Sequence, residues 1–231
     1  PSTFAAVREF CLSNQVTTFI LMVAAFKVFL LEASGQQDLT VGIPDPGRNR
    51  QETEQLIGSF ANTLVLRTQI SGGLTFREVL LKVRKVVLDA YAHRDMRYAK
   101  LISLLRPGAM LQEKPLFRVM MDFRTEGEDS DAAQLPGLTV APMAPEDDSL
   151  FVGNDLTFVL QEHSGGLQAT LRYKVALFDA TTIRGMLARF KTVLERMLER
   201  PDYPLAEIWQ QPQAMDKASV ATAPENSAST F

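Results

Sequence analysis

Ile57-Gly58-Ser59-Phe60-Ala61-Asn62-Thr63-Leu64-Val65-Leu66-Arg67 is the stretch from which the fold is read. From Asn62 to Ile70 its pattern is that of a strand, and Ser71-Gly72-Gly73 stops it. Just upstream, Leu39, Val41 and Ile43 alternate with other residues as a short strand, which Pro44, Pro46 and Gly47 end. Just downstream, Thr75 and Glu78 form a Thr-x-x-Glu capping box at a helix start. Val79, Leu80, Val83, Val86, Val87 and Tyr91 then recur at helical spacing. A shorter helix is expected from about Met96 to Leu105, stopping near Pro107.

Further out on the N-terminal side, Thr17 and Thr18 are placed to cap a helix over the apolar run Phe19 to Leu31, and Gly35 is its stop. That helix is apolar on nearly every side apart from Lys27, so it needs cover all round. It is too short to span a bilayer and reads as buried. On the C-terminal side, Phe117, Val119, Met121 and Phe123 alternate as a third strand. Leu156 to Glu162 and Leu167 to Val175 are two more, joined by Ser164-Gly165-Gly166 as an antiparallel hairpin. Asp179 caps a long helix whose apolar side runs from Ile183 to Met197, with Pro201 as its stop. The class is therefore α/β (α+β), with one mixed sheet flanked by helices.

Two stretches do not read as core. Arg124 to Ser149 carries seven acidic residues, Glu126, Glu128, Asp129, Asp131, Glu146, Asp147 and Asp148, and lacks periodicity. It is long for a structureless loop inside a domain, so it reads as functional or mobile. Residues 210–231, rich in Ala, Ser, Pro and Gln, read as a flexible linker or tail that cannot bury enough apolar area to order itself.

Composition narrows the function by exclusion. A net charge of -3 argues against a nucleic-acid binder, which would show a basic patch. Cys11 is the single cysteine, so there is no intrachain disulfide, and one thiol fits a reducing cytoplasm. No secretory signal is visible and no membrane association is expected. The chain starts with Pro1-Ser2-Thr3 and no Met, as a trimmed chain would. The histidines are His93 and His163; no His-Cys cluster has metal-ligand spacing, and neither a phosphate-cradling Gly-rich loop nor a Gly-x-Ser-x-Gly elbow is present.

The opening stretch resembles the motif I-G-x-F-V-N-T-L-x-x-R of nonribosomal peptide synthetase condensation domains. Asp38-Leu39-Thr40-Val41-Gly42-Ile43-Pro44 with Gly47-Arg48 resembles that family's D-I-V-V-G-x-P-x-x-G-R. Ala92-His93-Arg94-Asp95-Met96-Arg97-Tyr98 is similar to H-Q-D-x-P-F-E, and Lys114-Pro115-Leu116-Phe117 to the end of R-D-x-S-R-N-P-L-F. Leu177-Phe178-Asp179 and Pro204-Leu205-Ala206-Glu207-Ile208 fall where the family has F-D and P-L-S-E-L. The matches keep family order from about Thr17 to Trp209. Arg94 replaces Gln, Arg97-Tyr98-Ala99 replace Pro-Phe-Glu, and most of R-D-x-S-R-N is missing before Lys114.

The resemblance implies a chloramphenicol acetyltransferase-like lobe over residues 1–209, the C-terminal half of a V-shaped domain. It implies a floor loop at about 42–63 under a substrate tunnel, and a latch at about 124–154 that crosses to the N-terminal lobe. That missing lobe would also cover part of the Val16 to Leu31 helix. The family's His-His-x-x-x-Asp-Gly signature belongs to the N-terminal lobe and is absent here, so no catalytic residue is assigned. A positioned imidazole would help an attacking amine lose its proton and align, and this chain supplies none.

Gly58, Asn62 and Arg67 are the resemblance's floor candidates; the plainer readings are a turn cap for Asn62 and a structural ion pair for Arg67. Arg48, Arg50, Arg94 and Arg97 would face an acidic carrier protein or a phosphopantetheine phosphate, unless they are simply solvated. His93 and Asp95 close a helix and open a loop, where local capping is the plain reading. The implied function is amide formation between acyl or peptidyl and aminoacyl thioesters in secondary-metabolite (antibiotic) biosynthesis. The partners would be the N-terminal lobe, carrier proteins bearing phosphopantetheine, and neighbouring synthetase domains, with no cofactor or metal bound by this chain. Two rivals stand beside it. One is a non-catalytic docking module, which the altered 97–99 segment favours. The other, a coenzyme A acyltransferase, is disfavoured because neither histidine has Asp four positions on.

Overall fold

The computed structural model, which describes residues 2–48, 51–107, 115–125, 154–209 and 227–230, builds one six-stranded mixed sheet. Its strands are β1 (Asp38–Asp45), β2 (Asn62–Gln69), β3 (Val119–Thr125), β4 (Leu156–His163), β5 (Gly166–Tyr173) and β6 (Ser227–Thr230), in the order β2-β1-β3-β4-β5-β6. The central pairs β1–β3 and β3–β4 are parallel, and the outer pairs β1–β2, β4–β5 and β5–β6 are antiparallel. The expected hairpin from β4 to β5 closes with His163 opposite Gly166.

The pleat decides which side chains face inward. Leu39, Val41 and Ile43 of β1, Leu64 and Leu66 of β2, Met121 of β3, Leu156, Phe158 and Leu160 of β4 and Leu167, Ala169 and Leu171 of β5 are buried on one face. Against that face pack α2 (Thr18–Ser34), α4 (Phe76–Ala92) and α6 (Ala180–Glu199), with α1 (Ser2–Asn14) laid against α2 and α6. Phe158 locks the layers together: its ring centroid lies 4.8 Å from Phe26 of α2 and 4.6 Å from Phe190 of α6. The remaining helices are short: α3 (Gln51–Glu54), α5 (Tyr98–Leu105) and α7 (Leu205–Ile208).

The caps form where the sequence placed them. Thr17 accepts from the Ile20 N–H and Gly35 ends α2 at φ 69°. Thr75 and Glu78 bond reciprocally as a capping box, and Asp179 caps α6 through the Thr182 N–H at 2.7 Å.

Two expectations are corrected. The apolar surface of α2 is not left for a second lobe: Ile20 to Phe29 and Leu31 are buried by α1, α4, α6 and β1 of this chain. Lys27, which interrupts the run in sequence, is itself 0% exposed. The stretch expected as a loop at 42–63 is also not loop throughout, because Gly42 to Asp45 are strand residues that pair with Asn62 to Val65. Within the tail expected as linker, Ser227–Thr230 is an edge strand whose small residues extend the ladder on the outer side of β5. Residues 126–153, nearly all of the latch-like segment, lie outside the described residues, as do 210–226. Helix α1 had no counterpart in the sequence reading; its inward residues Phe4, Val7, Phe10 and Cys11 are buried against α2 and α6.

Candidate functional site

A cleft of about 980 Å³ opens where β1, β3 and β4 reach their C-terminal ends. In an α/β sheet, the crevice beyond the carboxyl ends of parallel strands is where ligands bind. Its walls come from α1 (Cys11, Leu12), the first turn of α2 (Thr18, Phe19) and the end of α4 (Leu88, Tyr91). Its base carries Ile43, Asp45, Phe123 and Glu162, and neither Gly58 nor Asn62 is among its lining. Most of the lining is apolar, and Phe19 meets Phe123 edge-on at 5.8 Å. Polar chemistry enters where the inward pleat runs past the core: Asp45 follows Ile43, and Glu162 follows Leu160.

Asn62 stands at this end of the sheet, directly across the β1–β2 ladder from Asp45. Its side-chain amide donates to the carbonyls of Arg94 and Met96, each at 2.9 Å, and its oxygen accepts from the Tyr98 N–H at 3.0 Å. One side chain thereby ties the start of β2 to the whole turn between α4 and α5.

The loop from 46 to 61 is laced by Arg48, which donates to the carbonyls of Thr53 and Gly58 and lies 4.7 Å over the Phe60 ring. Gly47 sits at φ 68°, and a Cβ there would meet the backbone oxygen of Phe60. At this position only glycine combines the left-handed backbone with so close an approach. Gly42 allows a different contact, because the Phe117 ring occupies the space a Cβ would take.

Arg67 belongs elsewhere. It pairs with Thr40, on the opposite pleat from Asp45, and its guanidinium takes Asp38 bidentately at 2.6–3.1 Å with both side chains exposed. That pair holds the Asp38 carboxyl below the usual carboxylate range, chiefly through the Arg67 hydrogen bond. Its position fits a structural ion pair, not the floor of the cleft.

His93 caps α4, with Nδ1 2.8 Å from the Asp89 carbonyl oxygen, and Asp95 is exposed in the following turn. Neither histidine lines the cleft. Arg50 lies outside the described residues. Cys11 does line the cleft, but burial pushes its thiol up to about 11, so it is a poor nucleophile. Among the described residues no group of His, Cys, Asp and Glu is placed to hold a metal ion, and no single helix is long and apolar enough to cross a membrane.

The sequence reading missed Asp45, Glu162 and Lys27. Position parity alone marks the first two, since each extends an inward series of apolar residues by one step. Lys27 had a signal as well: one basic residue inside a helix apolar all round needs a buried partner. It finds two, the carbonyls of Leu39 at 3.2 Å and Leu66 at 2.7 Å.

A mixed sheet with helices on one face and a cleft at its strand ends is the architecture of a chloramphenicol acetyltransferase-like lobe. The chain belongs to the condensation-domain family, whose model matches residues 1–218. One of the linear gramicidin synthase proteins of Brevibacillus parabrevis is 42% identical over 179 residues, 78% of this chain and 4% of that protein. The X-domain from teicoplanin biosynthesis superposes with a TM-score of 0.81 at 28% identity, covering 91% of this chain and 48% of that one. The same X-domain is also known in complex with OxyB, at a TM-score of 0.78 and 27% identity over 91% of this chain and 47% of that one. A four-domain nonribosomal peptide synthetase, holo-AB3403, matches in fold at 0.77 and 22% identity, over 93% of this chain and 17% of that one. The chain thus spans a small part of the synthetases and about half of the X-domain.

Proposed function

We propose that this chain is the C-terminal lobe of a condensation domain, one wall of the tunnel in which an aminoacyl amine attacks an acyl or peptidyl thioester. Both substrates would arrive on carrier proteins, whose phosphopantetheine arms belong to the carriers, in a cytoplasmic synthetase. The observation that carries this reading is the cleft itself: it lies at the strand ends of a condensation-family sheet, open on one side, and neither histidine lines it. Amine attack needs a proton acceptor and alignment. The reading therefore assigns the proton-handling imidazole to the partner lobe and the border of the floor to Asn62, Gly58 and the loop Arg48 binds. On its own the chain is inactive.

Association tests it. An N-terminal condensation lobe added in trans should bind with measurable affinity and slow hydrogen exchange along the cleft rim, at Leu12, Leu88 and the 46–61 loop. Absence of association at high micromolar concentrations would overturn the lobe assignment.

A second reading is a docking module without catalysis. It is favoured by the likeness to the teicoplanin X-domain, a protein solved in complex with a separate partner, OxyB. The two readings part at turnover: a docking module binds partner proteins and yields no amide product even with an N-terminal lobe present.

A further inference from the structure

Among the described carboxylates that are not exposed, Glu32, Asp122, Asp155, Asp179 and Glu195 each have a partner. These are Arg189; Arg124 at 2.9 Å; Lys174 at 2.8 Å with Arg118; the Thr182 N–H at 2.7 Å; and Thr3 at 2.6 Å. Asp45 and Glu162 have neither an ion pair nor a hydrogen bond from a side chain among the described residues, and both line the same cleft. Asp45 is the more enclosed, at 5% exposure. Withdrawing a carboxylate from water with nothing in return is costly. Asp45 bears part of that cost at the place where a ligand would enter, while Glu162 is only half-buried.

The cations nearby do not neutralise them. Arg124 and Arg8 line the same cleft, but Arg124 is bonded to Asp122 at 2.9 Å, Arg8 lies over the Phe4 ring at 5.8 Å, and among the described residues no ion pair joins either to Asp45 or Glu162. Register places Asp45 and Glu162 two strands apart and offset along the sheet, roughly 12 Å between backbones. They are too far apart to share one ion, so each is a separate negative point.

A cationic nitrogen is the natural complement, and the chemistry of the proposed reaction says which one. Pairing the reacting ammonium with a carboxylate would stabilise its protonated ground state and oppose the loss of the proton that attack requires. A basic side chain keeps its charge throughout, so its ion pair selects the substrate without burdening the step. We propose that Asp45 is the charge-selecting residue of the cleft, receiving the ammonium or guanidinium of a basic side chain on the aminoacyl or peptidyl unit bound there. This rests on the reading of the cleft as a substrate tunnel wall.

The test uses the whole chain and two non-hydrolysable probes, lysyl-pantetheine amide and its neutral counterpart norleucyl-pantetheine amide. Binding is followed by amide shifts at Asp45, Tyr91 and Phe123. The lysyl probe should bind at least about tenfold more tightly. That preference should vanish in Asp45→Asn, persist in Asp122→Asn, and shrink in the wild type as ionic strength rises. Should Asp45→Asn fail to fold, the wild-type salt dependence still decides. Equal binding of both probes, a salt-independent preference, or a preference retained in Asp45→Asn overturns the assignment of Asp45 and leaves the tunnel reading standing. If neither probe shifts the cleft residues, the tunnel reading itself falls, and the assignment with it.

Discussion

The side-chain oxygen of Asn62 accepts the backbone N–H of Tyr98 at 3.0 Å, joining the first residue of β2 to the first residue of α5. With its two donated bonds to Arg94 and Met96, this one amide replaces the intrachain partners that a tight turn cannot give itself. Asn62 is therefore a positioning residue: it sets the turn that borders the proposed tunnel floor.

Asn62→Asp keeps the acceptor for Tyr98 but turns two donors into a carboxylate facing carbonyl oxygens. We expect a loss of about 1–3 kcal/mol and faster hydrogen exchange from Arg94 to Tyr98. Asn62→Leu removes all three bonds. In a reassembled domain it should impair amide formation more than it lowers the melting temperature of the lobe. A lobe that unfolds on Asn62→Leu, with unchanged specific activity in whatever reassembles, would make Asn62 purely structural.

Lys27 gives a pH-dependent test of the core. Burial, only partly offset by Asp38, lowers its pKa from 10.5 to about 7. The unfolded chain therefore holds this proton more firmly than the native one between those values, and stability gains from Lys27 as pH rises through that window. The destabilisation is fully present below pH 7 and is relieved toward pH 10.5. Denaturant titrations should show Lys27→Met abolishing this rise, of the order of a few kcal/mol, and stabilising the protein most at pH 6. An equal effect of the substitution at pH 6 and pH 10 would contradict the buried, proton-shedding lysine.

Gly47→Ala should open the 46–61 loop without melting the sheet. The new methyl group meets the Phe60 carbonyl in a left-handed backbone, a cost of about 1–3 kcal/mol in a stretch where Leu56 and Ile57 are exposed. Limited proteolysis should cut within 46–61 several-fold faster while the melting temperature moves by only a few degrees. A global drop in stability without loop cleavage would show that the loop is integral to the core.

Much of this architecture was legible because local chemistry and tertiary structure agree. Thr17, Thr75 and Asp179 cap helices for reasons visible in their own segments, and Leu39, Val41 and Ile43 alternate because one face is buried. The cover of α2 was not legible, since an all-round apolar helix reports that it is buried but not by what. Helix α1 escaped because Arg8 and Glu9 interrupt a short apolar series. At the site, the hydrogen-bond partners of Asn62 were not legible, because they lie thirty-odd positions away and only the fold brings them near. Arg67 was drawn to the floor by its place in a motif, whereas strand parity and distance from Asn62 put it on the other face.

The proposed function makes this chain one wall of a condensing enzyme, with the proton-handling imidazole on another lobe. Amide formation between an acyl-loaded and an aminoacyl-loaded carrier protein, measured with this chain alone and then with an N-terminal lobe bearing His-His-x-x-x-Asp-Gly, tests it most directly. The account predicts background rates for the chain alone and for the N-terminal lobe alone, with product above background when the two are combined. Turnover by this chain alone, or none when the two associate, would contradict it.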